Sequence, residues 1–277
     1  PTEDTEAVYR QISMLASEGV DLIRLTVQSE KIAETLEPLR KLLDDAGIKV
    51  PLAADIHFSP DAAFRAADFV EKIRINPGNF ADRGVEPRAS IDDEQYASDL
   101  NRVREKFTPL VEKCKRLDRV MRIGANHGSL SGRILARYGD TSEGMVESAL
   151  EYVRIAEELN YTDLILSMKA SHVIVNIESN RLLALRLLRR SESEGHPIYP
   201  IHLGVTEAGS DESGRIKSYI GMGGLLEMGI GDTVRVSLTE DPLDELPATR
   251  ALSERYSDHR RSADPWDART FATHLSA

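Results

Sequence analysis

Cysteine is nearly missing from this sequence: Cys114 is the only one in 277 residues. A single thiol excludes an internal disulfide framework and any self-contained multi-cysteine metal site. It fits a reducing compartment. Long apolar runs are missing as well, and no stretch reaches the roughly 20 residues that a membrane-spanning helix needs. Positive charge is in deficit, with 35 Lys and Arg against 46 Asp and Glu and a net charge of −11. A general nucleic-acid binder needs a basic face, so that class is excluded. Position 1 is not Met, and Pro1-Thr2-Glu3-Asp4 already reads as a helix start. The sequence is therefore expected to be a fragment.

Apolar residues make up 41% and charged residues 29%, ordinary values for a globular protein. Short runs rich in Ile, Val and Leu recur at 21–27, 50–58, 71–78, 119–128, 163–171, 199–209 and 232–239. Such runs suit buried parallel strands. Helical patterns lie between them at 5–19, 30–46, 61–70, 144–159, 172–190, 215–228 and 244–255. Seven alternations in one rhythm predict an α/β fold, a (β/α)8 TIM barrel over 1–257, in preference to a doubly wound sheet. A helix precedes the first run, so an eighth strand is expected upstream of Pro1, and its loss would leave open sheet edges. Residues 79–118 interrupt the rhythm as a polar insertion, helical from about Ile91. From 258 to 277 the periodicity fades, which predicts a linker or the truncated start of another domain.

Each strand run carries a charged or hydrogen-bonding side chain in or beyond its second half. Arg24, Arg74, Arg122, Lys169 and Arg235 supply one cation apiece. Asn126, His127, Ser171, Thr206 and Ser237 add neutral groups, and Glu207 adds an acid. Unpaired buried charge is costly. In a barrel those strand ends converge on the mouth where such enzymes hold their sites. Each cation alone is explained equally well by an ion pair with a strand acid. For all five, the strand runs supply too few acids, mainly Asp55 and Glu207. The pattern therefore predicts a positive funnel for a small, highly charged anion, and arginine's planar fork suits phosphate.

His57, His127 and His202 show no local metal-binding spacing, so no metal site is predicted from them. In "YPIHLGVTEAGSDESGRIKSYIGMGG" (199–224) a strand runs into Glu207, and Lys217-Ser218 read as the opening of a helix. A helix start favours anions; a plain cap explains it equally well. Glu207 reads as a proton source, against a rim ion pair with Lys169 or Arg235.

The stretches "PLAADIHFS", "KIRINPGNF", "MRIGANHGSL", "SMKAS", "IHLGVTEAG", "KSYIGMGGLL" and "GIGDTVRVSLT" occur in order and without a gap. Together they resemble the barrel domain of the 4-hydroxy-3-methylbut-2-enyl diphosphate synthase family, from Thr2 to about Glu240. "NPGNFADR", "FTPLVEKCK" and "YGDTSEGMVESALEY" are similar to the longer, plant-like form of that family. The resemblance implies an iron–sulfur oxidoreductase of the methylerythritol phosphate route to isoprenoids. It opens 2-C-methyl-D-erythritol 2,4-cyclodiphosphate reductively to the linear hydroxymethylbutenyl diphosphate. It further implies ferredoxin or flavodoxin as electron donor, a homodimer, and a bacterial cytoplasm or a plastid. Arg24, Arg74, Arg122 and Lys169 match the family's phosphate-binding positions, with Asn126, Ser171 and Ser237 as neutral donors. Glu207 matches the glutamate proposed as proton donor.

The family's [4Fe–4S] cluster takes three cysteines and a glutamate from a C-terminal domain. That set is absent here, so this chain alone is expected to bind the diphosphate without turning it over. Two other readings compete. One is a phosphate-handling barrel enzyme of the dihydropteroate synthase type, which needs a carboxylate for its heterocycle and fewer cations. The other is a non-catalytic anion-binding barrel.

Overall fold

The computed structural model describes residues 3–81 and 90–262, and the contacts within it divide the chain into two units. The first comprises Pro1–Gly124, Ser131–Arg137 and Ser148–Leu164. It opens with helix α1 (Thr5–Ser17), whose N-cap Asp4 accepts from the Ala7 amide, and continues into strand β1 (Ile23–Val27). Helices α2 (Glu30–Glu34) and α3 (Leu36–Asp45) follow, where the sequence predicts one helix over 30–46. Pro38 explains the break. It has no N–H to donate to the Glu34 carbonyl, so it ends one helix and sits in the first turn of the next.

Strand β2 (Leu52–Ile56) is buried along its whole length. Helix α4 (Pro60–Ala66) starts where Ser59 accepts from the Ala62 amide and Pro60 fixes the first turn. Strand β3 (Lys72–Ile75) stops short of the predicted 78, because Asn76 caps a short helix, α5 (Pro77–Phe80). The insertion is mainly helix α6 (Asp93–Leu117); residues 82–89 of it lie outside the described residues. Phe107 of α6 meets Phe80 and Tyr152, the latter with ring centroids 4.9 Å apart, and this pins the insertion to the end of β3. Strand β4 (Val120–Asn126) belongs to this unit as far as Gly124, as do most of helix α7 (Gly132–Tyr138), which the periodicity misses, and the second half of helix α8 (Ser142–Glu158).

β1, β2, β3 and β4 pair in parallel in chain order. The register places Arg24, Ala53, Lys72 and Val120 in one row, and Thr26, Asp55, Arg74 and Arg122 in the next. Because strand side chains alternate, both rows fall on the same face of the sheet. Ile23, Leu25 and Val27 take the other face and are buried. One face of this sheet is thus apolar and the other carries charge.

The second unit comprises Ala125–Leu130, Tyr138–Glu147 and Ile165–Ala277. It contains strand β5 (Leu164–Lys169) from Ile165 on, then helix α9 (Val173–Glu194), strand β6 (His202–Leu203), helix α10 (Asp211–Glu227), strand β7 (Thr233–Val234) and helix α11 (Glu245–Ser262). β5 and β6 meet at the parallel bridge Leu166–Ile201, and β6 pairs with β7 in parallel. Regular pairing in β6 and β7 is far shorter than the predicted runs at 199–209 and 232–239. α11 continues to Ser262, past the predicted end at 255; residues 263–277 of the predicted linker lie outside the described residues.

Candidate active site

In the first unit the charged face converges on Asp55. Arg24 Nη1 stands 2.7 Å from its Oδ2, and Arg74 Nη1 donates to its Oδ1 at 2.8 Å. Arg74 Nη2 donates to the Gly124 carbonyl at 2.9 Å. Asp55, Arg74 and Arg122 are buried, while Arg24 remains half-exposed. Burial alone would raise the Asp55 carboxyl. The adjacent His57 imidazole and the charges of Arg74, Arg24 and Arg122 overcome that and hold it far below the usual carboxylate range. Asp55 is therefore an anion at any physiological pH. It is the carboxylate around which the guanidinium groups of Arg24 and Arg74 are fixed.

In the second unit Lys169 closes β5 and is buried. Its backbone is held on both sides from α9: Asn180 Nδ2 donates to the Met168 carbonyl at 3.0 Å, and Asn176 Oδ1 accepts from the Ala170 amide at 3.2 Å. Asn176 also donates to the Gly221 carbonyl. Both asparagines are wholly buried. The Lys169 carbonyl accepts from the His127 amide, and the Ala170 carbonyl from the Thr206 amide, which ties the loops after β4 and β6 to the end of β5. Gly204 leaves the space for the lysine stem: a β-carbon there would stand 2.8 Å from Lys169 Nζ. The Asn126 carbonyl accepts from Ser129, and His127 Nε2 lies 3.6 Å from Asp140. Ser171, Thr206 and Ser237 are half-buried.

Two expectations need correction, and one competing reading is not met. Acids meet more of the cations than the strand runs alone suggest, since Arg24 and Arg74 share Asp55 and Arg235 lies 3.4 Å from Glu245. Glu245 comes from α11 and also accepts from the Leu238 amide, so counting strand acids misses it. Lys217 and Ser218 do not open a helix, because α10 starts at Asp211 and places them in its second turn. Lys217 Nζ instead donates to the Glu207 carbonyl at 2.9 Å. The alternative rim pair for Glu207 is not formed either. Its side chain is exposed, has no hydrogen bond or ion pair among the described residues, and sits on a backbone with φ +51°. That left-handed conformation is costly for a residue with a β-carbon and recurs at functional positions.

The count of one cation per strand also passes over Lys72, which shares the charged face two residues before Arg74. Period-two alternation would have found it. No such signal marks Asn176 and Asn180, which read as ordinary helix residues.

The chain matches the profile of the GcpE TIM-barrel domain over residues 1–250. It belongs to that family. A 4-hydroxy-3-methylbut-2-en-1-yl diphosphate synthase (flavodoxin) from Leptospira interrogans is 52% identical over 256 residues, 92% of this chain and 38% of the relative. The enzyme of the same name from Akkermansia muciniphila is 52% identical over 264 residues, 95% of this chain and 45% of the relative. The chain thus spans less than half the length of these relatives. Among solved structures, the 3-keto-D-glucoside 4-epimerase from E. coli aligns with TM-score 0.52 at 11% identity, covering 89% of this chain and 94% of that one, a likeness of fold alone. The fold is the TIM barrel of the GcpE family, with parallel strands alternating with helices.

The residues of this GcpE domain do not fit an iron–sulfur cluster. Cys114 is its one cysteine, buried in α6, and burial pushes the thiol up to about 12 despite the nearby Arg119 and Lys113. Among the described residues no three His, Cys, Asp or Glu side chains are grouped to hold a metal ion. No helix among them is long and apolar enough to cross a membrane.

Proposed function

We propose that this chain, residues 1–257 forming its barrel domain, binds the cyclic diphosphate in a 4-hydroxy-3-methylbut-2-en-1-yl diphosphate synthase. The observation that carries the reading is the cluster of Arg24, Arg74 and Arg122 on three strands around the Asp55 carboxylate. Guanidinium groups drawn from three neighbouring strands onto one largely buried face are donors of the kind that a compact dianion favours. Lys169, Arg235, Asn126, His127, Ser171, Thr206 and Ser237 are proposed as donors to the same class of anion.

In the proposed reaction the ring C–O bond to the diphosphate breaks. Two electrons enter, and a hydroxyl leaves as water. Glu207 is proposed to deliver the proton to that hydroxyl; its exposed carboxyl on a strained backbone supports the role. The flavodoxin in the name of the relatives supports flavodoxin as reductant, with ferredoxin as the other class of donor. A homodimer and a cytoplasmic setting are part of the same proposal. The pterin-type reading loses ground because Asp55, which would have to grip the heterocycle, is already held by two arginines.

Calorimetry of the chain with 2-C-methyl-D-erythritol 2,4-cyclodiphosphate and with unphosphorylated 2-C-methyl-D-erythritol tests the reading. Binding of the first alone, lost in Arg122→Ala, is expected. Equal affinity for the two would overturn it.

A further inference from the structure

Lys72 lies on the same strand face as Arg74, two residues before it, and in the same register row as Arg24. Its row neighbours Ala53 and Val120 offer no charge. The charged groups of the neighbouring strands are Arg24 on β1, Asp55 and His57 beside each other at the end of β2, Arg74 on β3 itself and Arg122 on β4. Asp55 is the only carboxylate among them, and Arg24 and Arg74 occupy both of its oxygens. Lys72 is half-buried, and no carboxylate among the described residues lies within ion-pair distance of its ammonium. Successive residues on one strand face are about 6.6 Å apart, within the reach of an extended lysine stem. The ammonium can therefore rise to the level of the next row.

We propose that Lys72 is a further anion-binding residue of this site, a fourth cation in the first unit that the bound dianion neutralises. The inference rests on the reading of this face as a diphosphate site. A lysine held in place without a counter-ion is costly unless a ligand supplies one. The charge state agrees: burial, and then the Arg122 guanidinium, lower the Lys72 ammonium to about 8. An arriving dianion reverses both effects and restores the proton. Binding above pH 8 must then draw a proton from solution, and affinity must fall as pH rises through that range.

The cyclic diphosphate carries no proton that titrates between pH 7 and 9, so it is a clean probe. Titration calorimetry at pH 8.5, in buffers of different ionisation enthalpy, reads the proton count. Burial keeps the Cys114 thiol protonated there, so it does not contribute. Uptake of about 0.7 proton is expected for the unaltered chain. Lys72→Arg is expected to keep the affinity and lose the uptake, because its charge does not titrate. Lys72→Met should bind about tenfold more weakly at pH 7. Unchanged uptake in Lys72→Arg would overturn the assignment of Lys72 alone. Failure of the unaltered chain to bind the cyclic diphosphate would overturn the diphosphate reading together with it.

Discussion

Gly204 and Lys169 occupy adjoining space in which a β-carbon on the first would collide with the ammonium of the second, at 2.8 Å from Nζ and 2.9 Å from Cε. The atoms that would have to move form the far end of a flexible side chain, while the nearest backbone atom, the Arg235 carbonyl oxygen, lies at 3.3 Å. Gly204→Ala should therefore cost less than about 1 kcal/mol of stability, because the lysine tip yields more readily than backbone. It should nonetheless weaken cyclic diphosphate binding about as much as Lys169→Ala. Thermal melts and calorimetry on the two variants separate the effects. A large drop in melting temperature with unchanged affinity would show that Gly204 serves packing and not the lysine.

Asp55 is the hinge of the charge balance in the first unit. Asp55→Asn removes the anion between two arginines, and taking one partner from a buried ion pair costs about 3–5 kcal/mol. The pH dependence follows from the depressed carboxyl. A carboxyl lower in the folded than in the unfolded chain stabilises fully above the unfolded value near 3.9 and progressively less below it. Denaturant unfolding should show the gap between the unaltered chain and Asp55→Asn narrowing between pH 6 and pH 3. A gap constant over that interval would contradict the ion-pair account.

Glu207 pays for its position with a left-handed backbone. Glu207→Gly should relieve that strain and raise stability by about 0.5–1 kcal/mol. In a full-length synthase of this family the same substitution should abolish most turnover while leaving diphosphate affinity within a few-fold. Retained turnover would remove Glu207 from the chemistry.

Glu245 lies 3.4 Å from the Arg235 guanidinium, so on the proposed reading it competes with the diphosphate for that group. Glu245→Gln keeps an acceptor for the Leu238 amide and removes the charge. Affinity for the cyclic diphosphate should rise several-fold, most clearly at low salt where the attraction is least screened. An unchanged dissociation constant would place Arg235 outside the binding site.

The rhythm of strands and helices was legible because buried parallel strands concentrate Ile, Val and Leu, and because Ser59, Pro60 and Gly47 punctuate the chain. Arg24, Arg74 and Arg122 could be picked out since arginine inside an apolar run is conspicuous. Asp55, which meets Arg24 and Arg74, is legible as a strand acid, whereas the partner of Arg235 is hidden. Glu245 reaches Arg235 from a helix ten residues along, and nothing in the local pattern of that helix marks it. The same holds for Asn176 and Asn180, whose value lies in meeting backbone groups of β5. Lys72 sits at the start of its strand, outside the half where the charges were counted, and the register places it in the same row as Arg24, one strand removed. Pro38 and Asn76 carried readable breaks that the longer helix and strand patterns obscured.

A crystal structure of this chain with the cyclic diphosphate tests the central claim most directly. The account predicts phosphate oxygens within hydrogen-bonding distance, about 3 Å, of Arg122 and of at least one of Arg24 and Arg74, with Asp55 still between the latter two. Diphosphate bound elsewhere, with the charged face of β1 to β4 unchanged and empty of ligand, would contradict it.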